Sequence, residues 1–392
     1  MTRKKLRIAL VTDAYYPHVG GIQEHDYHLG VELKKRGHLV KVITGATGEN
    51  ICPPGLDVIR VGRIIQYPAN KSFSKMTVGL GIGGKLRRIF RNEKFDIVHV
   101  HGALSPFLPV YSHILSHTTT IHTFHSQFEE SIPYGIFKKL LQRCMERIDG
   151  IIAVSNAAKE CTSRYLSGNY TIIPNGIDMQ RFNPRNERCK KFEGKEPMIL
   201  FVGRFEPRKG LKYLFLAFNE IIAQIAGATL VIVGEGKLRD YYKGFLSKQA
   251  LQSVYFEGKV SMEVLPSYFV TSDIFCSPAY TGESFGIILL EALASGTPVV
   301  ASDIQGYRTV IRNGYNGLLV PPKNPGAISG AIMKILENAQ LRKKLVRDGL
   351  KSARNYSWNT VTDLIEKFYF ETLQKKQLDN ELIQKNSHSC IP

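Results

Sequence analysis

The chain has 392 residues, long enough for two domains with full cores, and its 43% hydrophobic and 22% charged content excludes a disordered or fibrous polypeptide. Lys and Arg number 52 against 34 Asp and Glu, a formal net charge of +18 that points to a polyanionic partner: nucleic acid, an anionic membrane surface or phosphorylated substrates. Six scattered cysteines without a C-x-x-C pair argue against a disulfide scaffold or zinc knuckle and for a reducing compartment, and no apolar stretch is long enough to predict a transmembrane helix.

The first element is an apolar run at 6–12, the pattern of a strand buried on both faces. The preceding Arg3-Lys4-Lys5 mimics a signal peptide, but the run stops at Asp13 and reads better as a first strand. A loop over 13–21 ends in Gly20-Gly21, where bare backbone lets a phosphate or sugar approach. From Ile22 the pattern turns helical through Leu29 and Leu33 and stops at Arg36-Gly37. A second strand follows at 40–43. This unit is Rossmann-like in form but lacks the full G-x-G-x-x-G, so a dinucleotide is not indicated.

The alternation continues. Strands are predicted at 57–61, 95–100, 119–124, 150–154 and 170–173, and helices at 84–91, 105–115, 136–148 and 156–165. In the helix at 84–91, Leu86, Ile89 and Phe90 share one face, while Lys85, Arg87, Arg88 and Arg91 cover the rest. That is the form of an interfacial helix on anionic lipid, or of a surface helix docked on its sheet. Lys138, Lys139, Arg143 and Arg147 supply a second basic helix. No aromatic platform stands beside these charges, which argues against nucleic acid. His99 and His101 share one strand face, and His122 and His125 end another strand. The acidic partners and spacing of a catalytic metal site are not apparent, so no metal is expected. His125 is the histidine best placed to meet a sugar hydroxyl or an acceptor.

Residues 183–197 are charged and aperiodic and read as an inter-domain linker. Alternation then restarts. Strands are predicted at 198–202, 229–233, 254–257, 274–276 and 299–301, and helices at 211–222, 237–248, 262–270, 285–294, 327–338 and 341–355. The fold class is therefore α/β, two tandem doubly wound Rossmann-like domains facing a cleft, the default place for a ligand. A helix-like segment at 357–375 carries the only tryptophan, Trp358, and the polar tail at 376–392 reads as disordered.

Two stretches carry chemistry. In Gly203-Arg204-Phe205-Glu206-Pro207-Arg208-Lys209-Gly210, Arg204 offers a fork to phosphate oxygens and Lys209 a mobile point charge. Two such cations stabilise a diphosphate leaving group without a metal. In Gly282-Glu283-Ser284-Phe285-Gly286-Ile287, a loop opens a helix at the C-terminal edge of a parallel sheet, where free N–H groups favour phosphate. Glu283 stands at its mouth, and Glu291 lies eight positions on, roughly 12 Å along a helix axis. Phosphate does not need carboxylates, but hydroxyl groups do. A ligand with phosphate in the middle and hydroxyls at both ends fits, and a nucleotide sugar is one.

Together with Gly20-Gly21-Ile22-Gln23, these stretches resemble the retaining glycosyltransferases of family four, with the two-domain GT-B fold, over nearly the whole chain to about residue 370. Within that family, Thr123-Phe124-His125 and the basic helix are most similar to the phosphatidylinositol alpha-mannosyltransferases, which use GDP-mannose at the cytosolic membrane face. The resemblance implies an acceptor-binding domain at 1–182, completed by helix 357–375, and a nucleotide-sugar-binding domain at 198–356. It implies that Arg204 and Lys209 bind the donor diphosphate, Glu283 the transferred sugar and Glu291 the ribose. Phe285, Gly286 and Ile287 would line sugar and phosphate, Val260 would meet the base through its backbone, and Gly21 would close over the phosphates. His125 would sit near the sugar and acceptor, and Gln23 and Asn70 would face an inositol-like headgroup. Lys85, Arg87, Arg88 and Arg91 would touch lipid phosphates. The expected partners are a nucleotide sugar, GDP-mannose or a UDP-sugar, and an anionic lipid surface, with no nucleic acid and no cofactor. The expected location is cytoplasmic, peripheral on the inner membrane face. Three alternatives stay open: a UDP-sugar-dependent relative with a soluble or polysaccharide acceptor, a non-catalytic nucleotide-sugar binding module, and a nucleic-acid-binding protein.

Overall fold

The computed structural model describes residues 4–18, 20–48, 53–69, 72–128 and 130–388. The chain forms two compact units, one from residues 1–175 with 358–392 and one from 176–357.

In the first unit the strands are, in chain order, β1 (Arg7–Thr12), β2 (Leu39–Gly45), β3 (Asp57–Val61), β4 (Arg63–Ala69), β5 (Ser72–Val78), β6 (Ile97–His101), β7 (Thr119–Phe124), β8 (Gly150–Ala153) and β9 (Tyr170–Ile172). Seven of them make a sheet in the order β3-β2-β1-β6-β7-β8-β9, parallel throughout. The remaining pair, β4 and β5, is an antiparallel hairpin. Both faces of the sheet are covered, which explains the unbroken apolar runs. Ile8 and Leu10 of β1 pack with Leu29 and Leu33 of the Gly21–Lys35 helix and with Trp358, Val361 and Ile365 of the C-terminal helix. The alternate residues Ala9 and Val11 pack with Ile82, Leu86 and Leu108 on the other side. Each fully buried Leu or Ile side chain contributes about 1.5–3 kcal/mol.

The second unit holds β10 (Met198–Val202), β11 (Thr229–Val233), β12 (Val254–Gly258), β13 (Ile274–Ser277), β14 (Val299–Ser302) and β15 (Leu318–Val320). They form a parallel sheet in the order β12-β11-β10-β13-β14-β15. Its core joins Ile199, Phe201, Leu214, Phe218, Leu230, Ile274 and Ile332. In each sheet the order reverses once, between β1 and β6 and between β10 and β13. A reversal leaves the two following loops free of a crossover helix, so they open a crevice at the strand ends.

Several expectations need correction. The first unit ends at Asn175 rather than 182, and the segment read as a linker is packed into the second unit. There Ile177 N–H donates to Tyr356 O at 2.8 Å, Phe182 meets Phe269 edge-on, and Cys189 N–H donates to Thr271 Oγ1 at 2.7 Å. Of the tail read as disordered, residues 376–388 continue the helix Trp358–His388, and 389–392 lie outside the described residues. Lys376 holds it, with Nζ 2.7 Å from Asp149 Oδ2 and 2.9 Å from Thr118 O. The helix at 136–148 is two pieces, Ile132–Ile136 and Lys138–Met145, the first capped by Ser131. The helix at 237–248 is likewise split into Arg239–Lys243 and Lys248–Gln252, the second capped by Ser247. The hairpin and β15 were not anticipated.

Candidate active site

In the second unit the loops after β10 and β13 meet at the reversal point. The β10 loop turns through a short 3₁₀ segment, Pro207–Lys209, which carries the basic residues. Across from it lies Glu283. Lys209 Nζ is 2.6 Å and Arg208 Nη1 2.7 Å from the same Glu283 Oε1. Arg208 Nη1 also donates to Gly282 O at 3.0 Å, and its Nε lies 2.9 Å from Glu206 Oε2. Arg204 Nη1 is 2.9 Å from Glu206 Oε1. The result is an alternating row, Arg204–Glu206–Arg208–Glu283–Lys209, with three cations to two carboxylates. It leaves one positive charge in surplus for an anionic ligand. Both ion pairs of Glu283 fall on the same oxygen, Oε1.

The expected pair, Arg204 and Lys209, is therefore present but unequal. Arg204 is exposed, while Lys209 is half-buried. Arg208, which the sequence reading passed over, is half-buried and ties the two loops together. Its signal was visible only as a third cation in the same loop.

The helix Ile287–Ala294 begins at Gly286, whose φ of +95° suits glycine, and no side chain caps its start. Its first-turn N–H groups, from Ile287 on, therefore lie at the mouth beside Glu283. A Cβ on Gly286 would stand 2.9 Å from Tyr307 Cδ1. Tyr307 is buried below, its hydroxyl 2.6 Å from Ser277 Oγ, and burial pushes its phenol well up. The ring of Phe285 is buried against Tyr356, so Phe285 offers a ligand its backbone only. Glu291 is buried on the second turn of this helix. Val260 lies two residues beyond β12, half-buried.

In the first unit, Gly20 is the N-cap and Gly21 the first residue of the Gly21–Lys35 helix. Gln23 turns its amide to donate to Ala14 O at 2.8 Å. Asn70 lies outside the described residues. The loops after β1 and β6 are joined where Ser105 Oγ donates to Asp13 Oδ2 at 2.7 Å. Burial pushes the Asp13 carboxyl up to about 6. Lys85, Arg87, Arg88 and Arg91 are all exposed on the Ile82–Glu93 helix. Its apolar face, Ile82 and Leu86, is buried on the sheet, so this helix shows solvent its charges rather than an apolar stripe.

His125 belongs to a buried group of imidazoles. His101 Nδ1 is 3.2 Å from His125 Nε2 and 3.2 Å from Asp26 Oδ1. His25 Nδ1 lies 3.0 Å from Asn175 Oδ1, and His99 lies 2.7 Å from both Tyr369 and Thr123. On the other sheet face His113 and His122 pair at 2.9 Å. His25, His101 and His125 bring one ring nitrogen each within 4.8 Å of one another, the one group with metal-ligand spacing among the described residues. Asn175 holds His25 Nδ1 and His101 holds His125, while the Nε2 atoms of His25 and His101 are buried without a hydrogen-bond partner among the described residues. His25 comes from a distant helix, which is why sequence spacing did not reveal the group.

Burial holds these rings neutral. It lowers His25 and His122 to about 4 and His99, His101, His113 and His125 well below their usual value. Between about 4 and 6.5 the unfolded chain binds protons that these folded imidazoles refuse, so stability falls as pH drops through that window. The buried carboxyls of Asp13 and Asp26, both raised, act in the opposite sense, but they are two against six. Scanning calorimetry is expected to show Tm at pH 5 lower than at pH 7 by roughly 10 °C or more. An unchanged Tm would mean that the imidazoles are solvated or already charged.

Residues 19–181 match the family described as Glycosyltransferase Family 4, and residues 183–352 match Glycosyl transferases group 1. A protein of Mycobacterium tuberculosis named phosphatidyl-myo-inositol mannosyltransferase is 31% identical over 369 residues, covering 93% of this chain and 96% of the relative. Among solved structures, a glycosyltransferase from Rickettsia africae superposes with a TM-score of 0.76 at 21% identity, over 94% of this chain and 99% of that one. A sucrose-phosphate synthase from Thermosynechococcus elongatus gives 0.71 at 22% identity, over 97% and 100%. Two parallel Rossmann-like sheets, a cation–carboxylate row at the second reversal point and these matches lead to one conclusion: the chain belongs to glycosyltransferase family four, with the GT-B fold.

Proposed function

We propose that the protein transfers mannose from GDP-mannose to the headgroup of phosphatidylinositol, with retention, at the inner face of the membrane. The observation that carries this reading is the half-buried Arg208–Glu283–Lys209 cluster at the helix start, on a chain whose matched relative is named for that lipid acceptor. The second unit takes the donor. Lys209 and Arg204 meet the diphosphate, assisted by the N–H groups of Gly286 and Ile287 and the backbone of Phe285. Glu283 accepts from a sugar hydroxyl, Glu291 from the ribose, and the Val260 backbone meets the base. The first unit takes the acceptor, with Gln23 and Asn70 at the headgroup and neutral His125 at an acceptor hydroxyl. Lys85, Arg87, Arg88 and Arg91 hold lipid phosphates.

In the reaction, the bond from the anomeric carbon to the diphosphate oxygen breaks. The acceptor oxygen attacks from the same face, through an oxocarbenium-like state, and its proton passes to the leaving phosphate. The side-chain cations meet the charge that develops on that phosphate, so no metal has a role in this step.

Purified protein given GDP-mannose, UDP-glucose or UDP-N-acetylglucosamine, each with and without phosphatidylinositol liposomes, is expected to release nucleotide from GDP-mannose and form mannolipid only when the liposomes are present. Turnover of a UDP-sugar without lipid would keep the fold and the row of charges but assign a soluble acceptor.

A further inference from the structure

The basic helix Ile82–Glu93 leaves a gap in the lipid reading. Charge alone holds a protein loosely at a bilayer, and the apolar face of that helix is spent on the sheet. The missing apolar surface lies elsewhere in the same unit. In residues 131–148, Tyr134, Leu141, Cys144, Met145 and Ile148 turn inward and pack with Phe124, Ile151 and Leu166. The opposite side carries Ile132, Ile136, Phe137 and Leu140, which are 75%, 71%, 54% and 62% exposed. Ile132, Ile136 and Leu140 recur every four residues, one face of a helical path, and Phe137 sits at the joint between the two short helices. Single exposed apolar residues are ordinary, but four adjoining ones on one short element mark a contact surface.

The charges around this stripe say what covers it. Lys138, Lys139, Arg143 and Arg147 are all exposed, and none has an ion-pair partner among the described residues. Glu146 is the only acidic residue in 131–148. Large apolar side chains interleaved with unpaired cations suit the boundary between anionic headgroups and acyl chains. An acidic protein surface would satisfy the cations but leave the isoleucines and phenylalanine against polar groups.

We propose that the outward face of the Ile132–Ile136 and Lys138–Met145 helices is the membrane-insertion surface of this protein. Ile132, Ile136, Phe137 and Leu140 enter the acyl region of an anionic bilayer, and the four cations rest on the phosphates. This rests on the lipid-acceptor reading above. It divides the work: one helix supplies electrostatic attraction, the other segment depth.

The test is co-sedimentation with vesicles of phosphatidylcholine with and without phosphatidylinositol, at low and high salt. The wild type is expected to bind the anionic vesicles and to keep part of that binding in high salt, since apolar insertion is not screened. The double variant Ile136→Asp/Phe137→Asp is expected to bind roughly tenfold more weakly or worse. Both positions are exposed, and an unchanged Tm would confirm that the variant folds. A second probe does not depend on a disruptive change: Phe137→Trp should be quenched by phosphatidylcholine brominated along its chains. If the wild type binds while the double variant binds equally well and Trp at 137 is not quenched, the insertion surface is wrong and the lipid reading survives on the other helix. If the wild type binds neither kind of vesicle, both readings fall.

Discussion

Lys209→Ala is expected to lower kcat by roughly 100- to 1000-fold while KM changes only a few-fold. The reason is timing. In the ground state Lys209 Nζ is held 2.6 Å from Glu283 Oε1, and that carboxylate also has Arg208 at 2.7 Å. Removing the lysine leaves Glu283 paired with Arg208, and on the proposed reading the donor's resting charge is still met by Arg204 and the helix start. What disappears is a mobile cation that can follow the negative charge growing on the leaving phosphate. Steady-state transfer assays with varied donor check this, and a change confined to KM would show that Lys209 only binds the donor. Arg208 differs in kind. It bridges Glu206 and Glu283 and donates to Gly282 O, so its loss would loosen both loops together.

Gly306→Ala is the second substitution with a large expected effect. Gly306 lies in the short helix Gln305–Arg308, where alanine would ordinarily help by up to about 1 kcal/mol. Here a Cβ would fall 1.8 Å from Glu283 O and 2.7 Å from Glu283 C, both backbone atoms. Backbone cannot swing away as a side-chain tip does, so the loop holding Glu283 must move. We expect a loss of about 3 kcal/mol, seen as a Tm lower by roughly 6–12 °C, with a drop in turnover as Glu283 leaves Arg208 and Lys209. Gly330→Ala is the control. It lies within the helix Pro325–Glu337 with nothing near its Cβ, and should be neutral or slightly stabilising. Equal behaviour of the two variants would remove the argument that Gly306 sets the position of Glu283.

What could be read from sequence followed from burial. Strands such as β1, β6 and β10 are covered on both faces, so each is a continuous apolar run that stands out. The hairpin of β4 and β5 lacks that signature: it mixes Arg63, Gln66 and Lys75 with apolar residues, and Pro68 interrupts it. β15 is three residues long and shows too little pattern. At the candidate site, glycines, glutamates and a cation pair at strand-to-helix junctions were legible because backbone geometry and charge limit what can stand there. Which cation turns inward was not, since that depends on the 3₁₀ turn at Pro207–Lys209 and on a carboxylate from another loop. Arg208 was missed for that reason. The place of Ile132, Ile136 and Leu140 was hidden similarly: a four-residue spacing states that they share a face, not that the core declines it.

The route of the chain has a consequence for how the protein is made. The first unit begins at the N-terminus, breaks off at Asn175 and resumes at Trp358. Its core needs Trp358, Val361, Ile365 and Tyr369, and His38 and Arg36 find their carboxylate partner in Glu366. None of these residues exists until the second unit has been synthesised. The second unit, continuous from Gly176 to Ser357, is complete before them. On the ribosome the order of completion is thus the reverse of the order of synthesis: the half of the enzyme begun first is finished last, with one sheet face only partly covered until the Trp358–His388 helix arrives.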